Sequence, residues 1–301
     1  MTPRFFGIHD PSASHDARLR RWLLRRAAKA RGFEWIGVDV RSARFSALPQ
    51  PLPGDLLFGF TRNANHVERL LLRPWVGSLY DTFEAGLRFP DAETWTTIHA
   101  AYGISMPTTI HGLSAEPREL EALVEALHGF PIVIKEEGLS QGRGVTLVRT
   151  FDELRRVAAS QRTASTTLAR QYIETDHSTR VVVIDHDVTI SYRYETPAGE
   201  FRSNAGFLPS VTPCKCDGEA QCVAMRAVQV LGLSCGGVDL LRDKDGRWLL
   251  LEVNFPFNFS TPDVLLGTDV SGALVDSLAR SAERRLSARG AFRLEPSDAG
   301  R

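Results

Sequence analysis

The stretch G-V-D-L-L-R-D-K-D-G-R-W-L-L-L-E-V-N, Gly237 to Asn254, constrains the fold more than any other part of the chain. Two apolar runs flank a short polar turn, and each run carries one acid among residues that favour burial. Asp245-Gly246 reads as a two-residue hairpin loop, because both positions tolerate positive φ. Lys244 then faces Arg247, and counting outward sets Asp239 opposite Glu252. Directly opposed residues share one face of a sheet, and Asn254, two further along, points to that same side. Two carboxylates facing each other without a counter-charge repel and lose hydration. A hard divalent cation removes the conflict, and magnesium suits carboxylate and amide oxygens together with nucleotide phosphates. The ordinary alternative is a hairpin end with solvated acids. Strands this apolar argue instead for burial on both faces.

A second stretch, K-E-E-G-L-S-Q-G-R-G-V from Lys135 to Val145, is glycine-rich and led by its lysine. In the phosphate loop of P-loop NTPases the lysine follows the glycines. P-I-V-I-K before it and V-T-L-V after it read as strands, so the motif is a hairpin and not a strand-to-helix turn. Gly138, Gly142 and Gly144 let backbone N–H groups approach an anion closely, and Ser140 adds a hydroxyl. Lys135 ends a buried strand, which brings its ammonium out beside the loop. A plain flexible turn is the competing reading. The acid pair downstream favours the phosphate reading, since nucleotide plus magnesium needs both parts.

Around these motifs the pattern is α/β, in an α+β arrangement of three lobes. F-F-G-I, the helical spacing of Leu19, Leu23, Ala27 and Ala30, then Trp35 to Val40 and D-L-L-F-G-F, predict a small parallel α/β lobe over 1–90. A second lobe over 91–172 begins with a helix at Ala92 to Ala101 and contains the glycine hairpin. A third over 173–301 holds strands at R-V-V-V-I and V-T-I-S-Y-R-Y, with Q-Y-I as a further strand at its start. Helices at Ala220 to Leu231 and Ser271 to Leu286 and the acid-bearing hairpin complete it.

Lysine plus arginine and aspartate plus glutamate stand at 36 each, so no global field points to nucleic acid. No apolar run approaches a membrane span, and no signal peptide is evident, which predicts a cytoplasmic protein. Cys214, Cys216 and Cys222 could offer thiolates to zinc, but a fourth ligand is not evident and ordinary reduced cysteines are the simpler reading. R-L-R-R-W-L-L-R-R-A-A-K-A-R, Arg18 to Arg31, is a strongly basic helix: a solvated face, or a dock for an acidic carrier or peptide tail. His9, Asp10 and His15 follow the first strand, as a helix-capping loop or the lining of a substrate crevice.

Taken together, these motifs resemble the ATP-grasp superfamily, specifically the RimK-type carboxylate–amine ligases, from about Asp91 to Asp269. I-V-I-K with S-Q-G-R-G-V is similar to the family's phosphate-lysine strand and glycine loop. R-Q-Y-I at 170–173 is similar to the segment whose backbone hydrogen-bonds adenine. G-V-D-L-L with L-E-V-N matches the metal strands, E-F-R-S-N at 200–204 is close to F-R-x-N, and G-T-D-V-S-G at 267–272 resembles T-G-x-D-[IV].

The resemblance implies an ATP-grasp fold whose two lobes clamp ATP behind a small N-terminal domain. It implies that Lys135 contacts the α- and β-phosphates while Gly138, Ser140, Gln141, Gly142 and Gly144 close over the nucleotide. Gln171, Tyr172 and Ile173 would meet adenine, and Glu174 or Asp176 the ribose. Asp239, Glu252 and Asn254 would hold Mg2+, two ions in the family pattern, with Mn2+ an alternative. Arg180 and Arg202 would stabilise transferred phosphate and acyl-phosphate charge, with Asn204 beside them.

Three positions depart from the family. Asp91-Ala92 stands where relatives carry D-K before the proline of G-I-x-x-P, which removes a phosphate lysine that Arg88 or Arg143 could replace. Ser178-Thr179-Arg180 stands for D-x-R, so an acid partner for the arginine is missing. Gly206 to Ser210 replaces R-G-G. N-F-P-F-N-F after Val253 is nearer to relatives acting on an amino-group carrier protein than to ribosomal-protein glutamate ligases.

The implied chemistry is amide formation through an acyl phosphate, with release of ADP and phosphate. The partners are an amino acid or small carboxylate or amine, and a peptide or small acidic carrier; a homo-oligomer is compatible. Two other readings are a macrocycle-forming ligase on a ribosomal precursor, and a nucleotide-binding regulator without turnover.

Overall fold

Phe5, Phe6 and Ile8 are all wholly buried in β1 (Arg4–His9), so the first strand of the chain is covered on both faces. In this computed structural model the described residues are 2–11, 14–60, 65–80, 92–136, 144–160, 167–203 and 210–292. Ser14 caps α1 (His15–Ala30), its Oγ accepting from the Ala17 N–H at 3.3 Å. Leu23, Leu24, Ala27 and Ala28 form the buried stripe of that helix. β2 (Glu34–Asp39) and β3 (Leu56–Gly59) flank β1 in the order β2-β1-β3, both parallel to it. α2 (Asn65–Leu71) packs on β3.

The second sheet is antiparallel. It follows α3 (Ala92–Ala101) and comprises β4 (Thr109–His111), β5 (Ile132–Glu136), β6 (Val145–Val148) and β7 (Thr167–Gln171), with α4 (Pro117–Ala126) and α5 (Phe151–Ser160) in the connections. Its order is β4-β7-β5-β6. Ile132, Ile134 and Ala169 pack with Leu120, Leu123, Leu154 and Ala158 of the two helices. Alternation then turns Val133, Lys135, Leu168 and Arg170 to the other face, because the register pairs Val133 with Arg170 and Lys135 with Leu168. The strand expected at Q-Y-I stops at Gln171; Tyr172 to Asp176 are the connection to the next sheet.

That third sheet contains β8 (His177–Ile184), β9 (Asp187–Glu195), β10 (Val211–Pro213), β11 (Cys235–Arg242) and β12 (Trp248–Asn254), in the order β10-β9-β8-β11-β12. Asp185 and His186 turn β8 into β9 with φ of 52° and 66°, the paired positive values of a tight hairpin. α6 (Gly218–Gln229) covers one face, setting Ala220, Ala224 and Ala227 against Val181, Val183, Val238 and Leu240. On the other face Val182, Ile184, Tyr192 and Tyr194 meet Phe257 and Phe259, which precede α7 (Ser260–Leu265). Leu274 and Leu278 of α8 (Val270–Phe292) join the same core, as do Phe5, Leu56 and Phe58 of the first sheet. The first and third sheets thus share their cores, whereas the second keeps its own. α8 is the longest of the described helices, and none of them is long and apolar enough to cross a membrane.

Candidate functional site

Asp239 lies directly opposite Glu252, by a different route from the one its sequence predicts. The turn is not a two-residue loop at Asp245-Gly246. Arg242 pairs with Trp248, and Asp243 organises everything between: its Oδ1 accepts from the N–H groups of Asp245 and Arg247, each at 2.9 Å. Only Gly246 takes positive φ, 83°. That wider loop slips the register by one residue, and a β-bulge between Asp239 and Leu240 slips it back. Both acids therefore share a face with Asn254, whose Nδ2 donates to Asp239 Oδ2 at 3.1 Å and Glu252 Oε1 at 3.0 Å.

The expectation that these carboxylates lack a counter-charge is corrected by the structure. Arg180 on β8 pairs in register with Asp239 and clasps it with a fork of two hydrogen bonds, Nε to Oδ1 and Nη2 to Oδ2, the latter at 2.7 Å. The acid partner missing from S-T-R is thus supplied by a neighbouring strand. Arg180 also lies over the Tyr194 ring, 5.6 Å from its centroid. Gly237 makes room for it, since a Cβ there would stand 3.1 Å from Arg180 Nη1 and 2.9 Å from Phe257 Cβ. Lys135 reaches across from the second sheet, its Nζ 3.1 Å from Glu252 Oε2.

Burial pushes the Asp239 carboxyl up, with Arg180 opposing, while the Lys135 ammonium holds Glu252 well below the usual carboxylate range. Arg180 and Asp239 are almost fully enclosed, with side chains 6% and 5% exposed; Lys135 and Glu252 are 29% and 28% exposed and form the accessible edge. Two carboxylates and a primary amide within hydrogen-bond reach form a donor set that fits magnesium. Turning the Asn254 amide about its last bond presents its oxygen in place of Nδ2. Lys135 contacts Glu252 Oε2 and Asn254 contacts Oε1, so Oε1 can serve an ion without breaking the Lys135 contact.

Other expected residues are distributed more widely. Gly144 opens β6 with φ of 70°, and its carbonyl accepts from Glu136 N–H at 2.9 Å; Gly138, Ser140, Gln141 and Gly142 lie outside the described residues. Asn204 lies outside them too, as do Arg88, Asp91 and Arg143. Gln171 closes β7, its N–H bonded to Thr108 O at 2.9 Å, and Tyr172 and Ile173 follow half-buried in the connection between the sheets. Glu174 and Asp176 are exposed, and Asp176 is taken by His177 Nδ1 at 2.5 Å. Arg202 is not brought to the acid pair: Glu200 grips it at 2.5 Å, and the exchange pulls the Glu200 carboxyl down to about 2. Its neighbour Ser203 bonds Ser178 at 2.5 Å, two residues before Arg180 on the same face of β8.

Sequence reasoning passed over the side chain of Arg170. It lies on the same face of the second sheet as Lys135, donating from Nε to Thr109 Oγ1 at 2.8 Å and from Nη1 to the Leu251 carbonyl at 2.9 Å. Its position in R-Q-Y-I gives no sign that it crosses to β12. Cys214, Cys216 and Cys222 are free, and among the described residues no group of three His, Cys, Asp or Glu side chains could hold a metal. Ser14, and not His9, Asp10 or His15, caps α1; Asp10 is buried and bonded to Arg41 at 2.9 Å.

A family model described as a RimK-like ATP-grasp domain matches residues 94–278. A probable alpha-L-glutamate ligase 1 of Shewanella amazonensis is 32% identical over 192 residues, 63% of either chain. The match thus spans less than two thirds of that relative's length. Among solved structures, the ATP-grasp ligase PsnB complexed with minimal precursor superposes with a TM-score of 0.68 at 16% identity, over 93% of this chain and 99% of that one. A D-alanine–D-alanine ligase from Bacillus anthracis gives 0.68 at 16% identity, over 95% and 99%. At such identity the likeness speaks for the fold.

Proposed function

The chain belongs to the RimK-like ATP-grasp family and has its fold, and from that premise we propose that it is an ATP-dependent carboxylate–amine ligase. The observation that carries this reading is the meeting of Lys135, from the hairpin of the second sheet, with Glu252 beside Asp239 and Asn254 on the third. A phosphate-binding cation on one lobe and a cation-binding acid pair on the other are what a nucleotide gripped between two sheets requires.

In the first step a substrate carboxylate oxygen attacks the γ-phosphorus of ATP, and the bond to the β,γ-bridging oxygen breaks to release ADP. In the second an amine attacks the acyl carbon, phosphate leaves, and an amide remains. Lys135 holds the phosphates. Arg180 clasps Asp239 and fixes its carboxylate by two hydrogen bonds, and so acts as a positioning residue. Magnesium, held by Asp239, Glu252 and Asn254, would supply neutralisation of the triphosphate. Neither step needs a nucleophilic side chain.

The enzyme joins an amino acid to a peptide or carrier, glutamate being the first amino acid to test in view of the relatives' names. Support for an acidic macromolecular partner comes from α1. Arg18, Arg25, Arg26 and Lys29 are exposed there, and Trp22 stands 54% exposed with Arg26 stacked over it, 4.8 Å from the ring centroid. Neutralising Arg18, Arg21 and Arg25 together is expected to raise the KM for such a peptide while sparing that for ATP; an unchanged peptide KM removes the docking role. Four free cysteines suit a reducing compartment, and we place the enzyme in the cytoplasm. The test of the whole reading is ADP release over a panel of amino acids and acidic peptides, with mass analysis of product. No amide product with any pair, and no ADP above background, would defeat it.

A further inference from the structure

We infer that Arg170 is a second nucleotide-phosphate ligand, offering its Nη2 group to a phosphate oxygen beside Lys135. The inference rests on the ATP-dependent reading above and deepens it. The guanidinium is fixed in both sheets at once, by Thr109 of β4 on one side and by the Leu251 carbonyl of β12 on the other. Its Nη2 is buried and finds no acceptor among the described residues. A buried donor left unpaired is destabilising, more so when charged, and such groups in folded proteins call for a ligand or a functional account. Burial lowers Arg170 only to about 10, so it remains a cation at neutral pH.

The local charge balance points the same way. Lys135, Arg170 and Arg180 bring three cations to Asp239 and Glu252, two carboxylates, which leaves one positive charge unmatched before any metal joins. Asp239 is taken by Arg180, and Glu252 by Lys135 and Asn254. Glu252 acts on Arg170 through space, but no carboxylate among the described residues hydrogen-bonds its Nη2. Leu251, whose carbonyl Arg170 Nη1 holds, is the residue next to Glu252, so the guanidinium is anchored one residue from the acid that Lys135 contacts. A polyanion seated against Lys135 is the ligand that this surplus charge and this unpartnered donor fit. Phosphate oxygens accept in the plane of a guanidinium more readily than a neutral base or sugar hydroxyl does.

The test compares ADP with adenosine, since a ligand of phosphate and a tie between lobes differ there. Binding of each is measured by calorimetry to the full chain and to Arg170→Met and Arg170→Lys. Loss of a charge-assisted hydrogen bond is expected to weaken ADP about 10- to 100-fold in Arg170→Met, with adenosine affinity unchanged. Arg170→Lys keeps the charge and loses the fork, so its ADP loss is expected to be smaller, again with adenosine spared. If Arg170→Met does not fold, the ADP-to-adenosine comparison in Arg170→Lys decides. Equal weakening of ADP and adenosine would reduce Arg170 to a structural tie and overturn the assignment, as would unaltered ADP binding. Failure of the unaltered protein to bind ADP would bring down the ligase reading, and this assignment with it.

Discussion

Replacing Arg180 by methionine removes the counter-charge of a carboxylate that has almost no access to water. Asp239 would keep one donor, the Asn254 amide, in a site where its side chain is only 5% exposed. Breaking a buried pair from one side costs about 3–5 kcal/mol, because the remaining charge stays desolvated. That is from about a fifth upward of the stability of an ordinary domain. The loss should depend on pH with a definite sign. Burial and the neighbouring Glu252 already lift the folded pKa of Asp239, and without Arg180 nothing on Arg180's side opposes them, so it rises further above the unfolded value. The protonated acid then contributes stability that is full below the unfolded pKa and disappears as pH rises through the folded one. Urea unfolding at pH 5 and pH 8 should therefore show the larger deficit at pH 8. Adding Asp239→Asn to the Arg180→Met chain should recover most of it. A deficit below about 1 kcal/mol, the range of an exposed pair, would refute the reasoning. So would a deficit equal at both pH values.

Gly237→Ala drives a Cβ to 2.9 Å from Phe257 and 3.1 Å from Arg180, and is expected to cost about 1–3 kcal/mol in unfolding and to disturb the Arg180 fork; unchanged stability would show that β11 can shift at little cost. Glu68, half-buried beside Tyr80, is pushed up to about 7 by burial. Its contribution is present below its unfolded pKa and is lost as pH rises toward 7, so Glu68→Gln should flatten the decline in thermal stability between pH 5 and pH 8. An identical decline in the variant would contradict this.

Much of the fold was legible because its signals are local. The sequence predicts α1 and α3 to within a residue or two, and the strands on either side of the glycine stretch pair as expected, Lys135 facing Val145. The opposition of Asp239 and Glu252 was legible for a less secure reason. The turn was misread by one residue, and a bulge that leaves no mark in the sequence restored the register. Asp243, acting through its side chain, defines the loop that Asp245-Gly246 alone was expected to make. The partner of Arg180 was illegible because it depends on β8 lying beside β11, a pairing of strands distant in sequence. Arg170 was missed for the same reason: its meaning lies in contacts to Thr109 and Leu251, each from a different strand. Arg202, read from a local motif, stands with Glu200, an acid that the motif itself contains.

The central claim is that Glu252, Asp239 and Asn254 hold a divalent ion against a nucleotide that Lys135 grips from the facing sheet. ADP affinity measured with and without magnesium, in the unaltered chain and in Glu252→Gln, tests it most directly. The expected result is tighter ADP binding with magnesium in the unaltered chain, with that gain gone in a Glu252→Gln protein that still folds. ADP binding indifferent to magnesium in both, or a magnesium gain that survives the substitution, would contradict the account.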